Sequence, residues 1–303
     1  MMPIISGLMS MPTPNNPQFR PPAEADSLIL QVDVGCPYNA CDFRGMYRGM
    51  RYRRRPLPEI EAMIAAEARA WPDARRVFLA DGDALRRDFD EFSAILRCLT
   101  AHLPTLARVN TYATGSAIDA NTDAQLSALR ALKLHTLYLG LESGDEEILK
   151  QMHKGETAAL MIRAGQRAAQ AGLRISVMVL LGLGGPAGSK RHARLSALAL
   201  NAMQPALLSF LRVIPVPGTP LWQRAQDGSF GLLSEYDCVA ELREMVAALE
   251  LNHTVLRANH TSNVVPMEGR LPKDKPRLLA ELDGLLRGGK LRRDSPGPLP
   301  LFL

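Results

Sequence analysis

The 303-residue chain predicts a parallel α/β fold, a barrel or partial barrel of about six βα units. Three observations lead there. Short apolar runs alternate with stretches of helical period along most of the chain. Strict strand–helix alternation favours a parallel sheet with right-handed crossovers, and this many repeats favour a barrel or partial barrel over an open sheet. Polar and glycine clusters at 35–46, 81–83, 142–144, 182–185 and 215–218 all fall at the C-terminal ends of predicted strands. Folds of this kind collect their chemistry at that face.

Taken in order, residues 1–26 are rich in Met, Pro and Asn and read as a disordered or loosely docked arm. The core barrel is expected over 27–251. Its first strand is the apolar run 28–34. A helix follows near Pro58, a proline suited to an early helical position, with Leu57, Ile60, Met63, Ile64 and Ala68 in helical period. Residues 77–80 form the second strand, and Phe89, Phe92, Leu96 and Leu99 the stripe of the second helix. The third strand is 106–113. Thr122 and Gln125 have capping-box spacing ahead of the stripe Leu126, Leu129, Leu132. The fourth strand is 136–141. The next helix covers 157–171 and stops at Gly172, as helices often stop at glycine. Residues 173–181 are the fifth strand, 189–203 a helix, 207–214 the sixth strand and 234–251 a longer helix. A C-terminal extension, 252–287, contains the polar stretch from Arg257 to Asn263, whose side chains could face a substrate or form a satisfied turn. The Gly-, Pro- and Arg-rich segment 288–303 reads as a disordered tail.

Hydrophobic content of 47% with 22% charged residues fits a globular protein with a sizeable core. Four cysteines in a chain this long are no disulfide framework, so a reducing cytoplasmic setting is expected. The start lacks the charged and apolar regions of a signal peptide. No run reaches the ~18 apolar residues of a membrane span. The net charge of +5 is partly local, with Arg48, Arg51, Arg53, Arg54 and Arg55 in one cluster and Lys290, Arg292 and Arg293 in another. The first cluster suits an anionic substrate, phosphate or nucleic acid, or is simply a solvated edge. Nucleic acid ranks last because a single patch supports it.

The chemistry-bearing stretch lies just past the first strand: Gly35-Cys36-Pro37-Tyr38-Asn39-Ala40-Cys41-Asp42-Phe43-Arg44-Gly45-Met46. Two thiols on a loop leaving a strand end are a metal-site arrangement, because thiolates hold soft metals and iron–sulfur clusters. The stretch resembles the cluster loop of the radical S-adenosylmethionine (radical SAM) superfamily, in the subgroup reading Cys-Pro-aromatic-Asn-x-Cys-x-Phe-Cys-x-Met-Tyr. Cys36, Pro37, Tyr38, Asn39, Cys41, Phe43, Met46 and Tyr47 match. The third cysteine does not, because position 44 is arginine. The resemblance extends over roughly residues 28–286 and names no substrate.

The resemblance implies a radical-SAM-type partial TIM barrel with a short C-terminal extension, a 4Fe–4S cluster, SAM, an external electron donor and an unknown substrate. Cys36 and Cys41 would ligate iron. Asp81, Gly82 and Asp83 match the element that holds the SAM amino group, and Glu142, followed by Ser143, matches the ribose acceptor. Lys150, Met152, Lys154 and Gly155 continue a family-like run. Gly182 and Pro215 match walls of the adenine pocket, and Phe43 the ring that packs on adenine. Arg44 departs from the pattern: a guanidinium has only donors and stays protonated, so it cannot replace a thiolate. Cys98 and Cys238 fall on predicted helices, away from the strand-end face. Two readings stay open, an iron–sulfur SAM enzyme impaired by Arg44 and a cluster-less, non-catalytic relative that keeps a nucleotide or anion site.

Overall fold

The computed structural model describes residues 20–298. Strands β1 (Leu28–Gln31), β4 (Arg76–Ala80), β5 (Arg108–Tyr112), β6 (Leu134–Glu142), β7 (Arg174–Leu181) and β8 (Leu207–Arg212) lie side by side in chain order. All pair in parallel. These are the six strands expected from the alternating pattern. Two further strands, β9 (Thr254–Arg257) and β10 (Glu268–Leu271), extend the sheet to eight. β9 is parallel to β8, and β10 runs antiparallel at the edge. β1 and β10 do not pair, so the sheet is open, a partial barrel.

Alternation along each strand sorts side chains between two faces. Val77, Leu79, Leu137, Leu139, Val177, Val179, Leu208 and Leu256 join one continuous core with the helices on the outer face. Those helices are α1 (Leu57–Ala70), α2 (Phe89–His102), α3 (Gly115–Asp119), α4 (Asp123–Ala131), α5 (Glu146–Gln151), α6 (Ala158–Gln170), α7 (Gly185–Met203), α9 (Glu235–Ala248) and α10 (Lys275–Arg287), whereas α8 (Pro220–Gln226) packs through Leu221 on Cys41 and Phe43. In α1, Pro58 stands in the first turn and Ile60, Ile64 and Ala68 are buried at successive turns. The capping box expected at α4 is present in full: Thr122 Oγ1 accepts from Gln125 N at 3.2 Å and Gln125 Oε1 from Thr122 N at 2.8 Å. The opposite, inner face carries Phe78, Tyr112 and Tyr138 packed edge to face, with centroids 5.1 and 5.7 Å from Phe78. Beneath them the buried Glu24 accepts from Tyr138 Oη, from Asn110 Nδ2 at 2.9 Å and from Ser27 Oγ at 2.6 Å.

Two expectations change. Residues 28–34 are not one strand: the chain breaks at Val32, and β2 (Asp33–Val34) pairs antiparallel with β3 (Arg53–Arg54). The break is fixed by the fully buried Arg87, which donates to Val32 O at 2.8 Å and to Asp33 Oδ1 at 2.5 Å. The tail is docked over its described part. Glu235 N donates to Ser295 O and Tyr236 N to Arg292 O, both at 3.0 Å, and the Arg293 guanidinium lies 3.7 Å from the Tyr236 ring centroid. The expected N-terminal arm falls largely outside the described residues, as do residues 299–303.

Candidate functional site: the cysteine loop over the strand ends

The loop carrying Cys36 and Cys41 lies across the C-terminal ends of the central strands, and its fastening is built from side chains. Asp81, at the end of β4, is fully buried. Its carboxylate accepts from Gly35 N at 3.2 Å, Gln31 Nε2 at 2.6 Å and Tyr47 Oη at 3.4 Å. Asn39 Nδ2 donates to Tyr47 O at 2.8 Å and closes the loop on itself. Asp42 ties it sideways, accepting from Arg224 Nη2 of α8 at 2.9 Å and meeting His153 Nδ1 at 3.0 Å. Gly82, at φ +50°, has no room for a side chain. A Cβ there would lie 2.5 Å from Gly35 O and 3.2 Å from Pro37 Cδ.

Arg44 points into the middle of this seat. Its Nη1 lies 3.7 Å from Cys36 Sγ and its Nη2 3.8 Å from Glu142 Oε1. Burial works against the Arg44 charge, but Cys41, Glu142 and Cys36 outweigh it and hold the guanidinium above its already high ordinary value. Burial likewise pushes the Cys41 thiol up, and Lys154 and Arg44 pull it partly back. Glu142 is the shared acceptor. At φ +60° it turns back over Gly140, where a Cβ would lie 2.2 Å from Glu142 Oε1. The same oxygen accepts from Lys154 Nζ at 3.2 Å, and the Glu142 and Lys154 side chains are only 6% and 7% exposed. Lys154 stood in the sequence only as part of a family-like run. Here it is the second cation on Glu142.

The other expected residues divide. Asp83 is buried and bonds Thr114 N at 3.3 Å and Thr114 Oγ1, fixing the start of α3; burial raises its carboxyl to about 6. Ser143 Oγ meets His192 Nδ1 at 2.8 Å and accepts from Asp145 N at 3.0 Å, so it joins β6 to α7. Gly182 N donates to Glu241 Oε1 at 2.7 Å. Gly182 and Pro215 border one narrow cleft with Arg212, Val213 and Pro296 of the tail. Cys238, expected away from this face, also borders that cleft, and burial pushes its thiol up to about 12. Cys98 is half-buried on α2. Phe43 packs with Cys41, Leu183, Val213 and Leu221, between the loop and the ends of β7 and β8. In the basic cluster, Arg53 and Arg54 reach Glu59 and Glu91 at 3.0 Å, and Arg55 also pairs with Glu59. Arg48 and Arg51 remain exposed.

A 4Fe–4S cluster of the kind the loop resembles needs three thiolates. The seat has two, and the space of the third ligand holds a guanidinium already engaged with Cys36 and Glu142. Among the described residues no group of three or more His, Cys, Asp or Glu side chains is arranged to hold a metal ion. The residues present therefore do not fit the three-thiolate cluster. No helix among the described residues is long and apolar enough to cross a membrane.

Comparison with known proteins bears on the family and the fold. The sequence profile of the Radical SAM superfamily matches residues 33–190, just over half of the chain. A search of curated proteins gave no match. Among solved structures, methylornithine synthase is similar at 18% identity and a TM-score of 0.52, over 86% of this chain and 81% of that one. Coproporphyrinogen III oxidase from Escherichia coli gives 15% identity and a TM-score of 0.58, over 73% of this chain and 51% of that one. A maturase of the FeFe-hydrogenase gives 17% identity and a TM-score of 0.51, over 76% of this chain and 51% of that one. The chain thus spans about half the length of the last two. At these identities the likeness is one of fold.

Proposed function

Because the chain belongs to the Radical SAM superfamily, we propose that it binds S-adenosylmethionine at the strand-end face, holds an iron–sulfur cluster weakly through Cys36 and Cys41, and cleaves SAM poorly. Superfamily membership supports iron–sulfur SAM chemistry in general. The observation that carries the finer reading is the Arg44 guanidinium seated between Cys36 and Glu142. It brings a permanent charge and bulk to the place of the third ligand and supplies no bond to iron.

The chain's own groups have definite parts in holding SAM. Glu142 accepts the ribose hydroxyls by exchanging its contacts with Arg44 and Lys154, which stay near as counter-charges. Phe43 packs on adenine, with the backbone at Gly182 and Pro215 as walls. The turn Asp81–Gly82–Asp83 abuts the loop at Gly35 and Cys36, beside the amino-acid end of SAM. Its carboxylates already hold Gly35, Tyr47 and Thr114, so they act on the ammonium only by sharing these bonds. The test is calorimetry with SAM on the anaerobic protein, alongside its visible absorption after reconstitution. SAM binding with little or no brown chromophore is expected. Absence of SAM binding would refute the reading, and a full, stable chromophore would refute the role given to Arg44.

A further inference from the structure

The stretch from Arg257 to Asn263 sorts cleanly in the structure. Ser262 Oγ accepts from Arg212 N at 3.2 Å and meets His260 Nδ1 at 2.8 Å. Asn263 Nδ2 donates to Phe210 O and Ala258 O, both at 2.8 Å. These groups are spent on closing the loop over β8 and β9. Arg257 is not. Its neighbour Leu256 lies in the outer core, so Arg257, half-buried at the end of β9, faces inward with its register partner Ser209.

Arg257 Nε is buried without a hydrogen-bond partner. Arg55, Arg87, Arg212 and Arg224 also carry an orphan Nε, but each places its terminal nitrogens on carboxylates or carbonyls. For Arg257 no hydrogen bond or ion pair exists at any side-chain nitrogen among the described residues. Glu268, directly across on β10, is exposed and forms no ion pair with it. The buried Nε–H has no acceptor, which is costly for a donor, and the rest of the half-buried guanidinium is left open toward the inner face with no counter-charge. Glu142 stands on the same inner side, three strands away, roughly 14 Å along the curved sheet at ~4.8 Å per strand.

We infer that Arg257 anchors an anionic group, a carboxylate or phosphate, of a small-molecule substrate lying on the inner face of the sheet. The inference rests on the reading of that face as the SAM and substrate chamber. Arginine suits both anions through its planar fork of donors.

The test follows the side-chain Nε–Hε resonances of 15N-labelled protein while inorganic phosphate or succinate is added at fixed ionic strength. One resonance, absent from Arg257→Gln, should shift saturably with one of the two anions. The preferred anion identifies phosphate or carboxylate. Arg257→Gln, which lacks that resonance and is followed by calorimetry with the same anion, should bind about tenfold or more weakly, as expected for loss of a hydrogen bond to a charged group. Ser209→Asp, which supplies a carboxylate at the register position beside Arg257, should also abolish the shift and raise the thermal midpoint. No saturable shift in the parent, or parent-like binding in Ser209→Asp, overturns the proposal. SAM calorimetry on the same samples separates the two readings. SAM binding without anion binding removes the Arg257 site alone, whereas anion binding without SAM binding removes its assignment to a substrate.

Discussion

Replacing Glu142 should expose how strongly the seat depends on one carboxylate. Glu142 Oε1 stands 3.2 Å from Lys154 Nζ and 3.8 Å from Arg44 Nη2. Glu142→Ala leaves a lysine that is 7% exposed without a counter-charge, and an arginine that is 26% exposed with only the thiols beside it. Breaking a buried pair from one side costs about 3–5 kcal/mol, because the remaining charge stays desolvated. Arg44 is open enough to water that it adds little beyond that range. Glu142→Gln keeps an acceptor oxygen for Lys154 and should lose only ~1.5–3 kcal/mol, the worth of a hydrogen bond to a charged group. Adding Lys154→Met to Glu142→Ala removes the stranded cation and should recover most of the loss. Urea denaturation of the parent and three variants measures these differences as midpoint shifts at constant slope. SAM affinity, measured on Glu142→Gln, should fall about tenfold, the low end of the 10- to 100-fold expected for full removal of the acceptor. A Glu142→Ala midpoint within ~0.5 kcal/mol of the parent, with unchanged SAM affinity in the Gln variant, would refute the shared-acceptor reasoning.

Gly82→Ala puts a Cβ 2.5 Å from Gly35 O at a residue with φ +50°. It should cost at least ~2 kcal/mol and speed the reaction of Cys36 and Cys41 with Ellman's reagent; unchanged stability and thiol rates would contradict this. The buried His192–Glu241 pair, 3.9 Å apart, makes opposing contributions to the pH dependence of stability. Burial raises the Glu241 carboxyl from 4.5 to about 7, so its stabilisation is full below 4.5 and lost as pH rises through 7. Burial lowers His192 from 6.5 to about 4, so its stabilisation is full above 6.5 and lost as pH falls through 4. Between pH 5 and 6.5, Glu241→Gln should make stability rise more steeply with pH than in the parent, and His192→Gln less steeply. Each difference is at most about 1.4 kcal/mol per pH unit. Denaturation series giving parallel curves for all three proteins would refute the assignment.

The sequence carried the repeating frame well, because six apolar runs and glycine-marked strand ends survive as pattern. It carried the short pieces poorly. β9 and β10 have four residues each, and Glu268-Gly269-Arg270-Leu271 shows no alternation that could announce a strand. β2 exists because the buried Arg87 reaches Val32 and Asp33, a contact between residues far apart in sequence. That the Cys36–Cys41 loop and Glu142 come together was legible, because both follow predicted strands at the same sheet end, and Arg44 spans Cys36 and Glu142 there. The engagement of Asp81 with Gly35 and Tyr47, of Ser143 with His192, and of Lys154 with Glu142 was not. A polar side chain's partner is set by the tertiary fold, and its identity alone cannot distinguish a ligand from a fastening. The docked tail was hidden for a related reason: apart from the Arg293 guanidinium over Tyr236, it is its backbone carbonyls that meet Arg212, Glu235 and Tyr236.

The central claim is that Arg44 fills the place of the third cluster ligand, and Arg44→Cys tests it most directly. That change restores four and two intervening residues between three thiols and removes the guanidinium from Cys36 and Glu142. The parent and Arg44→Cys proteins are reconstituted anaerobically, and iron, sulfide and 5′-deoxyadenosine are measured side by side. Substoichiometric, labile iron and little 5′-deoxyadenosine are expected from the parent, with a brown, reducible cluster and clear SAM cleavage from Arg44→Cys. A full cluster in the parent, making 5′-deoxyadenosine as fast as the variant, would contradict the account.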